Sequence, residues 1–214
     1  MHYPTWRSPD RIPLSGQFVT LMPLVPARDV AGLYAVSHGT AEKEAVWNYL
    51  FYGPFRSSMT MKAWLENDMV SKDNILTWTV FENANETQVG IVALQRSHPN
   101  MAVRKSVTSG FRRCSQKPSQ YRITILLLCH LFDQHHYRRV EWKCDAFNHA
   151  SRTAAMRMGF LHEGRFRQHM IIKGKNRDTD WFAMTDKEWP RCKTNFEKWL
   201  YSGEKLSLME LNNG

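Results

Sequence analysis

The chain has 214 residues, 43% hydrophobic and 12% aromatic, enough for one domain with a full core and too apolar for a disordered segment. Twenty-nine Lys and Arg against twenty Asp and Glu give a net charge of +9, which raises nucleic acid or an acidic partner as candidates. Cys114, Cys129, Cys144 and Cys192 are spaced too irregularly for a zinc knuckle or a disulfide framework, so reduced thiols and a cytoplasmic setting are expected.

Residues 1–14 lack the apolar stretch of a signal peptide and read as an extension before a domain spanning 15–200. GQFVTLMPL (16–24) predicts a first strand, and ARDVAGLYAVSHG a helix ended by Gly39. EKEAVWNYL predicts a short helix closed by YGPF, and SSMTMKAWLENDMV a third, Ser-capped helix. Residues 75–94 predict a hairpin turning at Asn83 to Thr87. ITILLLCHLFDQHHY predicts a buried helix, its apolar run too short to span a bilayer. RRVEWKCDAFN alternates as a strand, ASRTAAMRMGF is a helix stopped by Gly159, two strands flank KGKNRD, and RCKTNFEKWL is a closing helix. Residues 201–214 read as a tail. The order predicts an α/β (α+β) fold, a mixed sheet with crossover helices.

The stretch FNHASRTAAMRMGFLHEGRFR (147–167) resembles the second half of GCN5-related N-acetyltransferases (GNAT): N-x-x-S-R, a short helix, G-F, then E-G on the next strand. YLFYGPF, YRRVEWKCDAFN and GRFRQHMIIKGKNRDTDWFAM resemble the ribosomal-protein-alanine acetyltransferase (RimJ/RimL-like) branch, and the likeness runs from about Ser15 to Leu200. The resemblance implies a mostly antiparallel mixed sheet with helices on both faces, a splayed parallel strand pair gripping acetyl-CoA, and a helix N-terminus holding its pyrophosphate. It implies that Asn148 binds the pantetheine arm, that Ser151 protonates the departing CoA thiolate, and that Arg152 helps with CoA phosphates. The Tyr acid of many acetyltransferases is replaced here by Ala155. Glu141 and Asp145 are candidates to relay a proton from the amine. Trp47, Tyr49, Tyr52 and Phe55 are candidates to line the acceptor side. Plainer readings stand beside these: Asn148 as a helix cap, Arg152 as a solvated helix residue, Glu141 as an ion-pair partner, the aromatics as core. His130, His135 and His136 match no metal-ligand spacing, and no metal is expected.

Residues 103–123, VRKSVTSGFRRCSQKPSQYRI, carry six Arg or Lys and no acid. Members of the branch have here a strand containing E-I-G-H and a turn K-T-x-A-A-T that cradles the pyrophosphate; neither is visible. Read one base out of frame, Arg104-Lys105 permits Glu, Lys105-Ser106 Ile, Ser106-Val107 Gly and Val107-Thr108 His. Gln116-Lys117 permits only Lys or Glu, and Lys117-Pro118 only Thr or Ala. Residues from about 101 to 122 are therefore expected to reflect two compensating frameshifts, in the gene or in its recorded sequence, with a genuine basic insertion or loop replacement as the plainer reading. As written, the chain is expected to lack the central strand and the pyrophosphate turn, which would impair it. The patch also supplies much of the positive charge, which weakens the nucleic-acid reading. The expected activity is acetyl transfer to a primary amine, a protein N-terminus or a small molecule. No membrane or nucleic-acid partner is expected, and a homodimer is allowed for.

Overall fold

A computed structural model describes residues 9–96, 103–110, 118–201 and 206–213. Among the described residues two compact units emerge: an N-terminal one, 9–96 with 106–110 and 118–127, and a C-terminal one, 128–201 and 206–213 with 103–105.

In the N-terminal unit, β1 (Leu14–Ser15) and β2 (Val19–Pro23) lead into α1 (Pro26–Ser37), α2 (Ala41–Glu44) with a 3-10 turn Ala45–Tyr49, and α3 (Ser58–Trp64) with a π turn Leu65–Val70. The hairpin follows as β3 (Ile75–Glu82) and β4 (Thr87–Arg96). Local chemistry explains the helix starts. Pro26 sits where a helix needs no N–H, and Asp29 reaches back to the Val25 amide at 2.9 Å. Thr40 caps α2 through the Lys43 amide, and Ser57 and Thr60 form a reciprocal capping box on α3. The antiparallel ladder sets Leu21 opposite Val80 and Trp78 opposite Val92, so alternate residues build the core. Asp29, fully buried, also accepts from Thr79 Oγ1 at 2.7 Å and Gln88 Nε2 at 3.1 Å, tying α1 to the strands.

Next comes β5 (Val103–Gly110), then α4 (Pro118–Leu128) with a π turn Cys129–Gln134. This corrects the expectation that the basic segment lacks a strand. Val103, Val107 and Thr108 are β-branched, and strand formation depends on context more than on net charge. The part of the expected pyrophosphate turn that precedes Pro118 lies outside the described residues, and α4 begins at Pro118.

The C-terminal unit carries β6 (Arg139–Asp145), α5 (His149–Arg157), β7 (Leu161–Ile172), β8 (Lys175–Thr185), α6 (Trp189–Tyr201) and α7 (Leu208–Asn213). β8 runs antiparallel to both β6 and β7. The expected tail in fact contains α7. Its Leu208 and Asn212 are buried, Asn212 Nδ2 donates to Arg157 O at 2.9 Å, and Asn195 Nδ2 donates to Leu211 O at 2.7 Å. Gly159, at φ +83, ends α5 where an added Cβ would meet Cys192 Sγ at 2.6 Å. Among the described residues no helix is long and apolar enough to cross a membrane, and no cluster of three or more His, Cys, Asp or Glu is arranged to hold a metal.

Candidate active site

The ladder register decides which side chains share a face. Trp142 stands opposite Phe182 and Cys144 opposite Asp180. His162 stands opposite Phe182 and Arg165 opposite Asp180. A strand alternates, so His162 and Arg165, three apart, would normally face opposite ways. The bulge between His162 and Gly164 takes up Glu163 and brings both onto the face of Asp180. Arg139 and Glu141 alternate with Trp142 and so project from the opposite face of β6.

α5 lies over the Trp142 face. Asn148 Oδ1 accepts from the Ser151 amide at 3.1 Å, so Asn148 is the helix cap. Trp142 Nε1 donates to Ser151 Oγ at 3.0 Å. Burial pushes the Cys144 thiol's pKa up, and the neighbouring Ser151 hydroxyl opposes that push.

Asp180, with no exposed surface, gathers the cations of this face. Arg165 holds it with both fork nitrogens, at 2.6 and 3.0 Å. Arg152 Nε approaches its Oδ2 to 2.6 Å, off the line of a hydrogen bond, and His162 Nε2 stands 3.6 Å away. The Arg165 bond, above all, holds the Asp180 carboxyl below its ordinary range. Arg152 is thus engaged at the foot of α5. On the other face Glu141 accepts from Arg139 Nε at 3.0 Å, and Arg139 also grips Glu163 on β7. The structure therefore brings Asn148, Ser151 and Arg152 together and sets Glu141 apart from them.

The four aromatic candidates are on the N-terminal unit. Trp47 is fully buried, and its indole N–H donates to Ser37 O at 3.1 Å. This corrects its place among acceptor-lining residues: Trp47 is core. Tyr52 and Phe55 pack on it edge-on, at 6.5 and 5.3 Å between ring centroids, and Trp64 joins them. Gly53, at φ +64, lies so close that a Cβ would stand 2.4 Å from the Trp47 ring. Tyr49 is exposed, while Tyr52 and Phe55 are half-buried.

His38 fixes the loop bearing Phe55. The Phe55 amide donates to its Nε2 at 2.9 Å, so Nε2 carries no proton. The other nitrogen, Nδ1, then donates to Ser37 Oγ at 2.8 Å, and Ser37 donates to Leu33 O at 2.8 Å. The ring stacks on Tyr34 at 4.1 Å. Burial, chiefly, holds the His38 pKa below its ordinary value, against smaller upward pulls from the Tyr34 carbonyl and Glu44. Sequence reasoning missed His38, Trp142 and Asp180. Only the alternation of β6, which pairs Trp142 with Cys144 on one face, offered a signal.

The sequence of residues 19–161 matches the family model for the acetyltransferase (GNAT) domain, and the chain belongs to that family. A GCN5-related N-acetyltransferase from Brucella melitensis shares 32% identity at a TM-score of 0.91, over 99% of this chain and 99% of its own. A GNAT-family protein from Chromobacterium violaceum ATCC 12472 shares 29% identity at 0.80, over 88% and 93%. A spermidine N-acetyltransferase chimera from Vibrio cholerae and hSSAT, 14% identical at 0.65 over 81% and 99%, shares the fold alone. No curated protein gives a significant match. The protein is a GNAT-fold acetyltransferase, a family whose co-substrate is acetyl-CoA.

Proposed function

We propose that this protein moves the acetyl group of acetyl-CoA onto a primary amine, either a protein N-terminus or a small-molecule amine, as a RimJ/RimL-like enzyme. The amine nitrogen bonds to the thioester carbonyl carbon, the carbon–sulfur bond breaks, and the nitrogen sheds a proton to solvent through a base or water relay. The departing thiolate takes a proton from Ser151, which is re-protonated from solvent. One observation carries the acid role. Ser151 Oγ already accepts from Trp142, so its own proton is directed elsewhere. Asn148 fixes the Ser151 backbone by capping α5. Glu141, on the other face of β6 with one oxygen bound by Arg139, is kept as the candidate relay for the amine proton rather than for the thiolate. Tyr49, Tyr52 and Phe55 are proposed for the acceptor side, with Trp47 beneath them as support.

Isothermal titration with acetyl-CoA, followed by thiol release with an alanine-initiated peptide or spermidine, tests the reading. Binding is expected, with turnover on one of these amines. Ser151→Ala is expected to lower kcat about 10- to 100-fold with affinity for acetyl-CoA unchanged. No binding at millimolar acetyl-CoA would overturn the assignment, and an unchanged kcat in Ser151→Ala would remove the acid role.

A further inference from the structure

We infer that Trp142 is a positioning residue that aims the Ser151 proton at the leaving sulfur. The inference rests on the acid role proposed for Ser151. An indole N–H only donates, so in the 3.0 Å contact Ser151 Oγ must accept. That consumes one lone pair of the hydroxyl and confines its proton to the remaining directions. Among the described residues Ser151 Oγ donates to no backbone carbonyl; Phe147 O accepts from His149 N at 2.9 Å, and Asn148 O from Arg152 N at 3.1 Å. The polar neighbour beside Ser151 Oγ is the Cys144 thiol on β6, and sulfur in a thiol accepts weakly. A hydroxyl that receives a hydrogen bond is also a better donor, because the two bonds polarise each other. Ser151 is therefore held as the acceptor of the indole N–H, with its own proton bonded to no carbonyl and able to pass to a thiolate.

The indole is itself fixed. Its ring meets Phe160 edge-on at 5.7 Å, and Phe160 and Phe182, its register partner, are both buried. Asn148 sets the backbone of Ser151 and Trp142 sets its side chain. The tether runs from strand to helix, so it holds Ser151 against rotation about its Cα–Cβ bond.

The thiol pKa of enzyme-bound CoA, followed by thiolate absorbance against the enzyme with desulfo-CoA, reads this directly and needs no acceptor amine. Wild type is expected to lower that pKa, and Ser151→Ala to abolish the shift. Trp142→Phe, which keeps a ring and removes the N–H, is expected to lose about 0.5–1 unit of it. In the Ser151→Ala background Trp142→Phe is expected to change nothing further. CoA affinity by titration calorimetry is expected to stay within about twofold of wild type. Trp142→His, which returns a ring N–H to that face, is expected to keep part of the shift and covers the case in which Phe at 142 does not fold. If Ser151→Ala leaves the bound pKa unchanged, the acid role falls and this inference with it. If Ser151→Ala acts but Trp142→Phe does not, or if Trp142→Phe acts equally without Ser151, only the positioning role is overturned.

Discussion

The start of α5 and the loop from Leu50 to Phe55 are both fixed by buried polar groups, but by different means. In the C-terminal unit a carboxylate with no exposed surface, Asp180, collects Arg165, Arg152 and His162 under α5. In the N-terminal unit a neutral chain, Phe55 N–H to His38 to Ser37 to Leu33, holds the loop against an aromatic cluster. A buried charge is costly unless paired, so the first anchor fails when its charge is removed. A neutral imidazole fails when charge is added. One anchor fails by losing charge and the other by gaining it, and their responses to substitution and to acid should differ accordingly.

The largest effect is expected where the neutral anchor meets its packing. Trp47→Ala removes the indole on which Tyr52, Phe55 and Trp64 pack and leaves the Ser37 carbonyl without its donor. A loss of about 3–5 kcal/mol is expected in denaturant unfolding. A loss below about 1 kcal/mol would mean the cluster does not organise this unit.

Asp180→Asn comes next. The amide offers one acceptor oxygen where the carboxylate gave two to the Arg165 fork, and Arg152 and Arg165 lose the carboxylate they share. A loss of about 2–3 kcal/mol is expected, at or below the low end for broken buried pairs because the arginines keep some exposure to water. The pH dependence has a definite sign. Asp180 lies below its ordinary 3.8 in the folded chain, so its contribution is present above that value and disappears as pH falls through the folded value. Wild type and Asp180→Asn are therefore expected to converge in stability only in strong acid.

His38 responds in a milder range. Its folded pKa lies below 6.5, so between the two values the unfolded chain binds more protons than the folded one. Stability is expected to rise with pH through that window, and to fall as pH drops below 6.5 until the folded value is passed. Protonation puts a hydrogen on Nε2 facing the Phe55 N–H, so the loop should loosen first. Unfolding midpoints of His38→Gln are expected to be nearly flat where wild type slopes. An equal slope in both would locate the titration elsewhere.

The same contrast shows what the sequence disclosed. Helix starts were legible because their causes are local: Ser57 and Thr60, Asn148 and Ser151 lie within one turn. Gly159 marked the end of α5 for the same reason. The anchors were not legible. His38 meets Phe55 across 17 positions, and no periodicity links a histidine to a distant amide. The Asp180 cluster needs the β6–β8–β7 register, and the Glu163 bulge reverses the parity that HEGR suggests. The separation of Glu141 from Ser151 was available in principle, since alternation along EWKCD puts Glu141 and Trp142 on opposite faces. The basic segment misled in the other direction: its charge hid the strand at Val103–Gly110. α7 looked like a tail because Asn212 works as a clamp on the end of α5, a role only tertiary contacts reveal.

The smallest effect separates two roles of one residue. Asn148 caps α5, and the acetyltransferase resemblance also gives it a contact with the pantetheine arm. Asn148→Ala removes both and is expected to lower stability by about 1 kcal/mol. Asn148→Asp retains an acceptor for the Ser151 amide and places negative charge at a helix start, where it is favourable, so stability should stay within about 0.5 kcal/mol of wild type. The aspartate, however, lacks the side-chain N–H groups an amide offers to a pantetheine carbonyl. If Asn148 serves acetyl-CoA as well as the helix, Asn148→Asp is expected to bind acetyl-CoA about tenfold more weakly while unfolding like wild type. Equal affinity in a stable Asn148→Asp would leave Asn148 as a cap alone, and Ser151 would then depend on it only for its backbone.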